Sequence, residues 1–172
     1  MNNTARYFGA LSREQIVPLL KTANEARQRM YESGEAEYFD TFNVESLDAD
    51  QLAQLPERGI RREGYDYYMT PRAGCQTYPN YSHRTLSNLI ESAALVNATA
   101  FAPFLYTPYL GIYGSHAMQD NAPLTIAFYE AASEPKELFE VSGASHLSLY
   151  DIDEDVDRAV DKMDEFFQKH SA

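Results

Sequence analysis

Several features that define common protein classes are scarce or missing in this sequence. Its only cysteine, Cys75, excludes an internal disulfide. No apolar stretch approaches the roughly 20 residues of a membrane-spanning helix. The first residues, 1–6, lack the apolar segment of a secretory signal peptide. Together these absences predict a cytoplasmic protein that has no contact with a membrane.

Basic residues are also scarce. The 172 residues include 14 Lys and Arg against 26 Asp and Glu, which gives a formal net charge of -12. Such a field repels a phosphate backbone and an anionic bilayer, so neither nucleic acid nor a membrane is expected as a partner. Solubility is the simpler explanation of the acidity. The length and a hydrophobic content of 44% predict one domain, or one domain with an appendage.

The first half of the chain contains one clear helix. Ser12 and Gln15 have the spacing of a capping box, and apolar residues follow at helical intervals up to a stop at Gly34. Pro18 is expected to kink this helix or to delay its start. A short helix is predicted after Asp48. The inward positions of the long helix are predicted to be Ile16, Leu19, Leu20, Ala23, Ala26 and Met30.

The middle of the chain is harder to interpret. Residues 65–81 are aromatic and are interrupted by Pro71, Gly74 and Pro79, which predicts a loop with little regular structure. An amphipathic helix is predicted over about 82–97.

The pattern changes at Tyr109. Short apolar runs at 109–113 and 137–141 predict two strands, and helices are predicted at 123–132 and 153–169. Strand, helix, strand, helix at this spacing predicts parallel strands with a right-handed crossover.

Two parallel strands alone form an incomplete sheet. Parallel strands are usually buried on both faces within a larger sheet, and each edge of a two-stranded sheet exposes unpaired backbone groups. Three solutions remain: a further strand within residues 35–70, edge pairing between two copies, or completion by another polypeptide.

His146 is the first candidate for a functional residue. It lies on a short loop that leaves the second predicted strand, just before the acidic final helix. A hydrolase places its general base at such a position. The alternative is a loop histidine bound to a backbone partner.

Five segments between residues 65 and 170 resemble the C-terminal part of the alpha/beta-hydrolase superfamily, in its dienelactone-hydrolase-like branch. They are 67–73 (YYMTPRA), 101–105 (FAPFL), 108–115 (PYLGIYGS), 135–139 (PKELF) and 143–151 (GASHLSLYD). The resemblance implies an α/β fold with a partial doubly wound parallel sheet, preceded by a helical segment. It divides the chain into a helical or loop segment, 1–64, which is cap-like or a linker, and a hydrolase-like portion, 65–172.

The resemblance also implies what is missing. It makes the two strands the last of the hydrolase sheet and puts His146 at the catalytic-histidine position. In a full member the first half carries the earlier strands, the oxyanion hole and the nucleophile turn G-x-S-x-G, which this sequence does not contain. The chain is therefore expected to be a truncated or split hydrolase that is inactive in isolation.

The acid of the implied triad departs from the family pattern. Family members place a carboxylate in the loop after the first of these strands, where this chain has Met118. Asp120 is the nearest carboxylate and the candidate acid. The alternatives are a helix N-terminal role for Asp120 ahead of Pro123, or a degraded triad.

Other candidates have simpler explanations. Cys75 has no clear helix N-terminus behind it to activate the thiol, so it is expected to be a small buried thiol. No strained strand-to-helix turn surrounds the loop serines, which are Ser82, Ser115 and Ser145. Asp151 is expected to cap or precede the last helix. His116 is expected near His146, but two histidines are too few for a metal site, so neither metal nor cofactor is predicted.

The expected function is thus related to the hydrolysis of esters, lactones or similar acyl groups, with a small-molecule ester as substrate. The expected partner is a complementary N-terminal hydrolase half or a second copy of the chain. The alternative function is a non-catalytic, homo-oligomeric binding or assembly module derived from the same fold.

Overall fold

A computed structural model describes residues 8–41, 43–57, 59–117 and 121–171 of the chain. The chain divides into two compact units, an N-terminal unit up to Val96 and a C-terminal unit from Asn97. The boundary between the two compact units therefore lies 32 residues after the boundary between residues 64 and 65 that the family resemblance implied. No helix in the described ranges is long and apolar enough to cross a membrane.

The described helices and strands have the following bounds. In the N-terminal unit they are α1 (Arg13–Ser33), β1 (Tyr38–Asp40), α2 (Ala49–Ala53), α3 (Ile60–Tyr68), β2 (Arg84–Leu86) and α4 (Leu89–Ala93). In the C-terminal unit they are a 3-10 helix (Ala98–Phe104), β3 (Tyr109–His116), α5 (Asn121–Ala131), β4 (Lys136–Ser145), α6 (Ser148–Asp151) and α7 (Asp153–His170).

Helix α1 follows the capping signals in the sequence. The backbone N–H of Ser12 donates to Oε1 of Gln15 (2.9 Å), and the helix ends at Gly34 with a left-handed φ of 77°. Pro18 lies inside α1 without ending it. The buried residues of α1 are Ala23 and Ala26, whereas several predicted inward positions at its N-terminal end are not buried. Burial is therefore concentrated in the middle of α1.

Two expectations for the middle of the chain are wrong. Residues 60–68 form α3, so the predicted loop at 65–81 begins with the end of a helix. The predicted helix at 82–97 is instead strand β2 followed by the short helix α4. Strand β2 pairs antiparallel with β1, in the register Tyr38 to Leu86 and Asp40 to Arg84. Pairing with a distant segment thus overrides the local helical spacing of apolar residues.

The C-terminal unit contains the predicted strand, helix, strand, helix order. Strands β3 and β4 pair in parallel, with Tyr109 opposite Lys136 and Gly114 opposite Val141. Helix α5 packs on β3, and α7 packs on β4. The prediction of an α/β fold with a small parallel sheet is confirmed.

The two parallel strands are only partly covered. Among the described residues β3 and β4 pair only with each other. Along both strands the buried positions are Gly111, Gly114, Val141 and Ala144. The final helix, α7, likewise buries Phe166 but leaves Phe167 58% exposed. Parallel sheets are usually buried on both faces, whereas this one is only partly buried.

Candidate functional site

His146 lies on a tight turn between the end of β4 and the start of α6. Ser145 and Ser148 close this turn reciprocally. The N–H of Ser145 donates to Oγ of Ser148 (2.8 Å), and the N–H of Ser148 donates to Oγ of Ser145 (3.0 Å). Leu147, between them in the chain, is 2% exposed and anchors the turn in the core. The backbone around His146 is thus held on both sides.

The imidazole of His146 has a hydroxyl partner one helical turn further along the chain. Oη of Tyr150 lies 2.8 Å from Nε2 of His146, and the two rings meet edge to face with centroids 5.2 Å apart. Tyr150 itself is 50% exposed. The contact therefore holds the ring of His146 in one orientation and presents a hydroxyl to Nε2.

The end of β3 lies beside this turn. His116 is opposite Ser145 in the strand register, after an irregularity between Gly114 and His116. Oγ of Ser115 accepts the N–H of Gly143 (2.7 Å), a residue with φ of 80°. His116 is therefore paired with the residue directly before His146. This backbone pairing agrees with the expectation that the two histidines lie near each other.

Gly114 makes this close approach possible. A Cβ atom at Gly114 would lie 2.3 Å from the carbonyl oxygen of Ala144 and 3.0 Å from that of Ser145. Both distances are shorter than a normal contact, so only glycine fits without a backbone shift. The pattern Gly-Ser at 114–115 thus serves to bring β3 against the end of β4.

The remaining predicted site residues have various positions. Asp120, the candidate acid, and Met118 lie outside the described residues. Asp151 is the last residue of α6, one residue before the N-cap of α7. Cys75 is exposed, so the expectation of a buried thiol is wrong. Ser82 accepts the N–H of Arg84 (3.3 Å) next to β2.

A second group of chemically active side chains occurs in the N-terminal unit. Asp40, Glu45 and His83 each offer a ligand atom, and these atoms all lie within 4.8 Å of one another. No sequence pattern indicates this group, because Glu45 and His83 are 38 residues apart and no motif links them. Only the pairing of β1 with β2 brings them together.

In sequence the chain is similar to two bacterial proteins. No protein-family model matches the chain. The chain is 30% identical over 167 residues to the uncharacterized protein PA2218 of Pseudomonas aeruginosa. The match covers 95% of this chain and 41% of the relative. It is 28% identical over 158 residues to the uncharacterized protein YcjY of Escherichia coli, covering 89% of this chain and 47% of the relative. The chain thus spans about half the length of the curated relatives it matches.

Solved structures give a clearer answer on the fold. The crystal structure of the hypothetical protein PA2218 matches 99% of this chain and 51% of its own, with a TM-score of 0.75 and 26% identity. The alpha/beta hydrolase GrgF from Penicillium sp. sh18 matches 91% of this chain and 50% of its own, with a TM-score of 0.64 and 17% identity. This chain has an alpha/beta-hydrolase fold. DcsB, solved in complex with its substrate analogue, matches 92% of this chain with a TM-score of 0.68 and 17% identity.

The likeness to these structures confirms the fold that the family resemblance implied. At 17% identity it establishes architecture alone, so the dienelactone-hydrolase-like branch and the role of His146 stay predictions. GrgF and DcsB, like the curated relatives, are about twice as long as the matched region.

Proposed function

We propose that this chain contributes the general base of a hydrolase that cleaves esters, lactones or related acyl groups. His146 is the base, and the nucleophile comes from polypeptide outside these 172 residues. The local structure around His146 supports this proposal. His146 follows a parallel strand on a turn closed by two serines, in a chain with an alpha/beta-hydrolase fold.

The geometry supports a proton-transfer role for Nε2. The hydroxyl of Tyr150 reaches this nitrogen at 2.8 Å, so a serine hydroxyl or cysteine thiol that displaces it can bind Nε2 in the same way. In the proposed reaction the nucleophile passes its proton to Nε2 as it attacks the carbonyl carbon of the ester. The proton then goes to the departing alcohol, and water repeats the cycle on the acyl intermediate.

Two further parts of the proposal depend on the family resemblance. A carboxylate on the Nδ1 side would hold the imidazole in the correct tautomer, and Asp120 is the proposed acid. The dienelactone-hydrolase-like segments at 108–115 and 143–151 make small cyclic or activated esters the proposed substrate class.

The test combines this chain with a nucleophile. The chain alone is not expected to accelerate the hydrolysis of p-nitrophenyl acetate above the background rate. Fusion to the part of PA2218 that lies outside the match should supply the proposed nucleophile, and activity should then appear. His146→Ala should abolish that activity, whereas the control His170→Ala, at the end of α7, should retain it. Hydrolysis by the isolated chain that His146→Ala abolishes would contradict an external nucleophile, and an active His146→Ala fusion would contradict the assigned base.

The incomplete sheet favours a second candidate, a homo-oligomeric assembly module without catalysis. Strands β3 and β4 pair only with each other in the described part of the chain. Just before β3, three aromatic side chains are strongly exposed: Phe101 (73%), Phe104 (66%) and Tyr106 (88%). Two copies that joined sheet edges would satisfy the open backbone groups. Sedimentation at micromolar concentration should then show a stable dimer, whereas a monomer would argue against this candidate.

A further inference from the structure

Three side chains that suit a metal ion meet at one end of the paired strands β1 and β2. The carboxylates of Asp40 and Glu45 and the imidazole of His83 bring their ligand atoms within 4.8 Å of one another. We propose that this cluster binds a divalent transition-metal ion of the zinc type. The proposal is independent of the hydrolase function, because all three residues belong to the N-terminal unit.

The backbone holds the three positions together. Asp40 ends β1 and lies opposite Arg84 of β2, directly after His83. The N–H of Thr41 donates to the carbonyl oxygen of His83 (3.1 Å), which ties the two segments beyond the last strand pair. The cluster therefore does not depend on the flexible ends of side chains alone.

A second tie fixes Glu45. Oδ2 of Asp40 accepts the N–H of Glu45 (2.7 Å) and also that of Val44. Val44 is 1% exposed, so this turn is anchored in the core. Folding thus brings both carboxylates and the imidazole together before any ion arrives, which reduces the ordering that binding requires.

The donor set has the chemistry of a borderline metal ion. Imidazole nitrogen and carboxylate oxygen are both zinc ligands, at about 2.0–2.2 Å from the ion. Three protein ligands also leave one tetrahedral position for water. Nε2 of His83 already lies 2.7 Å from Oε1 of Glu45, so side-chain adjustment is sufficient to place an ion between them. Calcium and magnesium are less suitable because they prefer ligand sets made only of oxygen.

One cation competes for the same carboxylate. Arg84 donates from Nε and Nη2 to the two oxygens of Glu45, at 3.2 and 3.4 Å. These distances exceed the about 2.7–2.9 Å of tight charge-assisted bonds. The side chain of Arg84 is also 56% exposed, so it can turn into solvent at little cost. A divalent ion is therefore expected to displace the guanidinium from Glu45.

The alternative is a plain ion-pair network that fastens β1 to β2. The two interpretations differ in the effect of Arg84. In a plain ion-pair network Arg84 stabilises the cluster, and the cluster does not bind zinc. In a metal site Arg84 is a competitor, and its removal strengthens binding.

The experiment titrates the whole chain with ZnSO4 by isothermal calorimetry at neutral pH, after dialysis against EDTA and then against metal-free buffer. One zinc ion per chain is expected to bind. His83→Ala and Glu45→Gln should each weaken binding at least about tenfold, since loss of even an outer partner of a metal ligand costs that much. His116→Ala removes a histidine outside the cluster and should bind zinc like the unmodified chain.

Arg84→Ala gives the sharper result and does not remove a ligand. Zinc binding should tighten several-fold in this variant, and circular dichroism should show that its fold is unchanged. Absence of stoichiometric binding in the unmodified chain would overturn the proposal. So would zinc binding that His83→Ala leaves intact, or an Arg84→Ala variant that binds zinc no more tightly than the unmodified chain.

Discussion

At the scale of single residues, the contact between Tyr150 and His146 makes a direct prediction about reactivity. The hydroxyl of Tyr150 occupies Nε2 at 2.8 Å, and a net hydrogen bond is worth about 1 kcal/mol. Tyr150→Phe removes that partner, so acylation of His146 by diethyl pyrocarbonate should be about fivefold faster. Mass spectrometry of the peptide that contains His146 measures the rate.

A matched substitution separates this effect from general loosening. Tyr113 also uses its hydroxyl in a side-chain bond, to Oε2 of Glu140 (3.0 Å), and this acceptor raises the pKa of Tyr113. Tyr113→Phe should leave the acylation rate of His146 unchanged. Equal rates in the Tyr150→Phe variant and the unmodified chain would show that the contact does not shield Nε2.

Glu137 makes stability depend on pH through a single carboxyl. Bonds from Lys162 and Lys169, each 2.7 Å long, lower the pKa of Glu137 from 4.5 to about 2. A lowered pKa means that the folded state holds the carboxylate more firmly than the unfolded chain does. The contribution is therefore complete above pH 4.5 and is lost as the pH falls towards 2.

The prediction compares melting temperatures between pH 6 and the lowest pH at which the chain stays folded. Glu137→Gln should melt below the unmodified chain at pH 6, and the difference should shrink as the pH falls below 4.5. Glu165 is a second acceptor for Lys162, and the side chain of Glu165 is 67% exposed. Glu165→Gln should therefore lower the melting temperature less than Glu137→Gln does at pH 6. A constant difference for Glu137→Gln would contradict the assigned cause.

At the scale of elements, the pairing of β3 with β4 depends on Gly114. A Cβ atom there would lie 2.3 Å from the backbone oxygen of Ala144, and backbone cannot turn aside as a side chain can. Gly114→Ala should cost about 2 kcal/mol, which lowers the melting temperature by about 6 °C in a chain of this size. Differential scanning calorimetry measures the change.

Gly111 supplies the control on the same strand. A Cβ atom at Gly111 would meet Cδ1 of Leu138 and Oη of Tyr109 at 3.1 Å, and both are the ends of flexible side chains. Gly111→Ala should therefore cost clearly less than Gly114→Ala. If the two variants melt together, the close approach at Gly114 does not govern the pairing.

The same elements show how far the sequence alone is informative. Helices α1 and α7 and strands β3 and β4 were predictable because each carries its own apolar spacing and end signals. Strand β2 was not, since three residues become a strand only by pairing with β1 more than forty positions earlier. His146 could be selected as a candidate from its place after a strand, and its role stays a prediction. Its contact with Tyr150 and the cluster at His83 depend on tertiary geometry that no local pattern encodes.

At the scale of the whole molecule, the net charge and the partly exposed sheet act together. The chain spans about half the length of its relatives and leaves its parallel sheet partly exposed. It also carries a net charge of -12, which opposes the compact state by self-repulsion. Salt screens this repulsion, because the Debye length falls from about 30 Å at 0.01 M to about 8 Å at 0.15 M. It also screens the surface ion pairs, but these contribute little individually.

Repulsion should therefore dominate, and NaCl should stabilise the chain. Raising NaCl from 0.01 to 0.15 M is expected to increase the melting temperature by about 3 °C, which corresponds to about 1 kcal/mol. The double variant Asp157→Lys and Asp161→Lys, on the exposed face of α7, changes the net charge by four, from -12 to -8. Its response to salt should be smaller. A melting temperature that falls with salt in the unmodified chain would show that ion pairs, among them those of Glu137 with Lys162 and Lys169, outweigh the repulsion.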